Sequence, residues 1–195
     1  MNRNFNTEYD IRTDNRIDCR NANETKEDYG GDLASDKGVD LNNVGTENID
    51  SVLDNFKYNN WSDLSLEEQK QSMTDLANFV ATDTGNKNPP EIIFRNDMPD
   101  GSYGSYNPET NTLEINENML DDSTEAADTV AHEMWHAYQQ QEISDPTSKK
   151  GREYQEGFEN YISPEYDFEG YENQMVEAEA REYAQGFKNK LKNVV

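Results

Sequence analysis

Apolar residues acquire a period only from Ile49 onward. Before it, stretches such as NANETKEDYGGDLASDKGVDLNNVG hold isolated apolar residues at no helical or strand spacing, so residues 1–50 read as a disordered or linker segment. In SLEEQKQSMTDLANFVATDTG (65–85), Leu66, Met73, Leu76, Ala77 and Val80 share one helical stripe. Ser65 and Glu68 there have capping-box spacing, and Gly85 marks the stop. Pro89-Pro90 blocks helix, and EIIFRN (91–96) reads as a short buried strand. GSYGSYNPETNTLEINENML then reads as strand, turn, strand, with Tyr103 and Tyr106 before an Asn107-Pro108 turn and Leu113 and Ile115 alternating after it. Asp122 and Glu125 are spaced to cap a helix that runs to about Gln141. A polar, glycine-containing stretch (142–170) reads as a loop, and a terminal helix covers roughly 172–192. Helix, strands, helix, loop and helix make an α+β domain over residues 51–195.

The candidate chemistry lies in TVAHEMWHAYQQQ (129–141), which contains both histidines of the chain, His132 and His136. Positions i and i+4 of a helix differ by only about 40° around its axis, so two imidazoles project together and can take two corners of a zinc tetrahedron. Glu133 lies about 100° further round, a poor direction for a ligand but a suitable one for a base acting on a metal-activated water. On the same wheel Ala127, Val130, Met134, Ala137 and Tyr138 form the core stripe. The histidines fall opposite it, beside Thr129 and Glu125, on a polar face.

A catalytic zinc needs a third protein ligand. No third histidine exists, and the single cysteine, Cys19, sits in the aperiodic segment. The ligand must be a carboxylate, and the last helix, YENQMVEAEAREYAQGFKNKLK, narrows the choice. Its apolar stripe is Val176, Ala180, Tyr183, Ala184, Phe187 and Leu191. Glu177 lies at the edge of that stripe, about 65° from its centre, with Glu179 about 95° away on the other side and Glu182 nearly opposite. Glu177 is the preferred third ligand and Glu179 the reserve.

Composition limits what surrounds this site. Only 32% of residues are hydrophobic and the mean hydropathy is −1.14, too polar for a chain ordered throughout. Acidic residues number 41 against 17 basic, a formal charge of −24 whose field repels nucleic acid and anionic membranes, so neither is an expected partner. The N-terminus lacks the apolar core of a signal peptide, and no apolar run is long enough to span a bilayer. The expectation is a soluble protein, cytoplasmic or exported by a non-classical route. One cysteine permits no internal disulfide.

HEMWH followed by EAEAR in a downstream helix resembles the gluzincin group of zinc metallopeptidases, whose third ligand glutamate stands in a Glu-x-x-Ala-(Asp or Arg) pattern. Glu177, Ala180 and Arg181 match that pattern. YNPETNTLEIN, HAYQ and the Tyr171-x-x-Gln174-x-x-Glu177 spacing also resemble small metallopeptidase domains of bacterial toxin and effector proteins. The resemblance, which covers roughly residues 90–190, implies a zincin-like fold and a zinc endopeptidase acting on a protein or peptide. His132, His136 and Glu177 would hold Zn²⁺, and Glu133 would be the general base. Tyr161, Tyr166 and Tyr171 are candidates to donate to the oxyanion, and Arg181 to hold a ligand carboxylate in place. The resemblance also implies that strand 113–116 lies at the sheet edge, where a peptide would add as a further strand, with the 142–170 loop supplying specificity. Two other readings stand beside it. One is a catalytically silent metallopeptidase-like binding or adaptor protein; the other is an acidic mimic of a basic protein's partner, which rests on net charge alone. Residues 1–50 are left open to a partner or regulator.

Overall fold

The computed structural model describes residues 49–99, 101–164 and 166–192. The expectation for residues 1–50 therefore lies outside the described residues, apart from Ile49 and Asp50. These two open a short helix, α1 (Ile49–Val52), and Ile49 is buried in the main core. A 3-10 turn at Asp54–Phe56 and one helical turn, α2 (Tyr58–Trp61), carry Phe56 and Trp61 inward, stacked with ring centres 5.0 Å apart. The Trp61 indole N–H donates to the Leu120 carbonyl at 2.7 Å, which satisfies its one polar atom inside the core.

Helix α3 (Leu66–Thr84) begins and ends as its sequence dictates. Ser65 and Glu68 form the reciprocal capping box, and Gly85 closes the helix at φ 68°, a left-handed conformation that costs glycine least. Met73, Leu76, Ala77 and Val80 are buried as expected, whereas Leu66, in the exposed first turn, is 43% accessible.

The strands are β1 (Glu91–Arg95), β2 (Gly104–Asn107) and β3 (Thr112–Asn116), in spatial order β1-β3-β2. β2 and β3 form a hairpin pairing Tyr106 with Leu113, and β1 lies parallel to β3 with Ile92 opposite Leu113. Asn107 makes the turn by accepting from the Glu109 and Thr110 amides, and Asn111 completes it at φ 52°, where asparagine is among the few residues tolerated. Two strand expectations are corrected. β1 is a half-buried edge strand rather than a buried one, because among the described residues it has a neighbouring strand on one side only. β3 is the central strand rather than the edge, since the β2 hairpin and β1 occupy both of its sides.

After a 3-10 turn at Glu117–Met119 comes α4 (Ser123–Ser144), which runs past the expected stop at Gln141. Asp122 caps it by accepting from Thr124 and Glu125 amides. The Glu125 carboxylate bonds Lys188 of the last helix. The 142–170 stretch is not a plain loop. It contains α5 (Lys149–Glu159) and a short α6 (Phe168–Asn173), ahead of α7 (Met175–Lys192). Ser148 caps α5 by accepting from the Gly151 amide. Its glycines, read as loop signals, serve packing instead. A Cβ at Gly151 would lie 1.9 Å from the Glu142 carbonyl oxygen, and one at Gly157 would lie 2.9 Å from a Val176 methyl.

Among the described residues two apolar clusters result. The larger joins α1, α3, β3, α4 and α7, and the smaller joins Tyr154 and Phe158 of α5 to Val176 of α7. α4 is covered on both sides. Among the described residues no helix is long and apolar enough to cross a membrane. The close α4–α5 approach gives a direct test: Gly151→Ala should cost at least about 1–3 kcal/mol, since the clash is with backbone rather than a movable side chain. Urea unfolding measures it, and an unchanged midpoint would contradict this packing.

Candidate metal centre

α4 brings His132 and His136 to one face, as the 3.6-residue period requires, and α7 packs across that face and delivers Glu177 in its first turn. The His132 and His136 Nε2 atoms are 3.0 Å apart, and they lie 3.3 and 3.4 Å from the Glu177 oxygens Oε2 and Oε1, respectively. All three residues are buried, and so is Glu133. The histidine face is polar as expected but not solvated. α5, α6 and α7 roof it with polar and aromatic side chains, one of which, Phe158, meets the His136 ring edge-on at 6.1 Å.

Each group about the Glu177 carboxylate comes from a different turn of chain. Tyr161 donates to Oε1 and Tyr171 to Oε2, both at 3.0 Å. The Arg181 guanidinium, one helical turn further along α7, lies 3.9 Å from Oε2 and 5.9 Å from the centre of the Tyr171 ring, and it also donates to the Glu172 carbonyl. Burial alone would push the Glu177 carboxyl up, but the opposing charge and hydrogen bonds of His136 and His132 hold it well below the usual carboxylate range.

The other sequence candidates are placed elsewhere. Glu179 points toward α5, where it accepts from Lys150 Nζ and Tyr154 Oη at 2.7 Å each. Tyr166 is 89% exposed. One buried participant escaped the motif reading: Gln139, whose side chain spans from the His136 ring to the Val176 carbonyl. Its position three residues after His136 and seven after His132 puts it on the histidine face, which is the signal that could have found it.

The donor set suits a divalent cation. The donor atoms lie close enough to share one ion: the imidazole Nε2 atoms are 3.0 Å apart, and each faces a different oxygen of the one Glu177 carboxylate, at 3.3 and 3.4 Å. Two imidazoles and one carboxylate are also the ligand types that zinc takes when no thiolate is present. Charge agrees: Glu133 and Glu177 are both buried, and buried carboxylates are costly unless positive charge balances them. The cluster is thus compatible with a zinc site. No family model, curated protein or solved structure matches the chain.

Proposed function

We propose that the chain is a zinc-dependent endopeptidase of the gluzincin kind, similar to metallopeptidase domains of bacterial toxins and effectors. The observation that carries this reading is the convergence of His132, His136 and Glu177 from two helices, with Glu133 buried in the same turn as His132. When bound, zinc supplies an acidified water and a Lewis acid for the peptide carbonyl. Glu133 accepts a proton from the attacking water on its carboxylate and returns it to the departing amine. Tyr161 and Tyr171 hold the two Glu177 oxygens toward the histidines, so the role supported for them is orientation of that carboxylate. Arg181 supports the same oxygen that Tyr171 bonds.

A protein or peptide substrate fits a strand edge that no other strand pairs with among the described residues. With β3 enclosed, the strand-addition site moves to β2, the antiparallel edge that passes α4 closely: a Cβ at Gly104 would lie 2.7 Å from the Thr129 methyl, one turn before His132 and Glu133. A silent metal-binding scaffold is the second reading, and the burial of all four site groups favours it, because a substrate carbonyl has to reach them. The two readings part on one experiment. The full chain is loaded with zinc and incubated with an unfolded protein, with and without chelator. Chelator-sensitive cleavage with about one zinc per chain supports the peptidase. The same zinc content without cleavage selects the scaffold, and no bound metal overturns both.

A further inference from the structure

Gln139 is fully buried, and both polar ends of its side chain are bonded. One end lies 2.8 Å from His136 Nδ1 and the other 2.9 Å from the Val176 carbonyl oxygen. These two contacts order the protons of the site without reference to a metal. A peptide carbonyl only accepts, so the amide nitrogen of Gln139 must face Val176. The amide oxygen then faces the imidazole, and because it too only accepts, Nδ1 of His136 must carry the proton. In the neutral ring that leaves the lone pair on Nε2, the atom directed at His132 and Glu177.

We infer that Gln139 is a positioning residue that sets the His136 tautomer and ties the histidine face of α4 to the first turn of α7, next to Glu177. This rests on the metal reading only for its consequence, which is a ligand lone pair aimed at the cation before the cation arrives. Both halves of the site are joined by this one side chain, since Val176 immediately precedes Glu177 in α7. Neighbouring glutamine Gln141 shows the contrast: it turns away to bond the Lys87 amide and the Gly85 carbonyl beyond the end of α3.

The test uses the full chain and two readouts. Long-range proton–nitrogen NMR of the metal-free protein, at a pH where the imidazole is neutral, should find His136 protonated at Nδ1; only two histidines need assigning. Protonation at Nε2 instead overturns the inference. Zinc affinity, measured by competition with a chelator, should fall about 10- to 100-fold in Gln139→Leu, which removes both bonds. Gln139→Glu keeps an acceptor for Nδ1–H but loses the donor to the Val176 carbonyl, so it should preserve the tautomer and recover only part of the lost affinity. A folded Gln139→Leu with wild-type affinity would overturn the inference. If that variant does not fold, Gln139→Glu and the wild-type tautomer decide: an Nε2-protonated His136 in Gln139→Glu counts against it. A wild type that binds no zinc but shows Nδ1–H sinks the metal reading and leaves the proton ordering supported.

Discussion

Glu177→Ala should lose zinc almost completely, with affinity falling at least about 100-fold, whereas Glu179→Ala should keep wild-type metal content. The two carboxylates are two residues apart on one helix, but only Glu177 lies between the imidazoles, while Glu179 binds Lys150 and Tyr154 of α5. The variants should therefore fail in different ways. Glu179→Ala leaves the buried Tyr154 hydroxyl without its acceptor and should cost about 1–3 kcal/mol in stability. Glu177→Gln provides the control, since it retains an oxygen for a tyrosine hydroxyl but is a far weaker ligand. Metal analysis after gel filtration, beside urea unfolding, reads both effects. Zinc retained in Glu177→Ala and lost in Glu179→Ala would reverse the ligand assignment.

The second large effect concerns turnover. Glu133→Gln should leave zinc content unchanged and lower the rate of peptide hydrolysis by about 10²–10⁴-fold, the usual contribution of a positioned proton acceptor. The substitution is nearly isosteric and removes one buried negative charge, so the fold should survive it. Single-turnover cleavage of an unfolded substrate, with each protein zinc-loaded and checked for metal, measures the ratio. Equal rates in wild type and Glu133→Gln would rule out this residue as the base.

Both predictions draw on a site whose halves were readable to different degrees. The pairing of His132 with His136 follows from the helical period, and so does the preference for Glu177 over Glu179 and Glu182, because rotation about a helix axis is a local property of the backbone. The capping box at Ser65 and Glu68 and the stop at Gly85 were legible for the same reason: each involves atoms within a turn of one another. Helix α5 was hidden because its glycines mimic a loop, and its helical state depends on packing Tyr154 and Phe158 against Val176 far along the chain. The central place of β3 was equally hidden, since pairing order depends on which distant strand fills each side.

By itself, then, the sequence determined which side chains share a face: the two histidines with Thr129, and Glu177 at the rim of its own stripe. Tertiary structure alone decided that α7 crosses the histidine face and that Tyr161 and Tyr171 bond the Glu177 oxygens. It likewise decided that the site is buried and that β2 rather than β3 forms the strand edge beside α4. The physical reason is range. Backbone geometry sets side-chain direction over a few residues, whereas burial and convergence are set by the packing of elements separated by many residues, which no local period encodes.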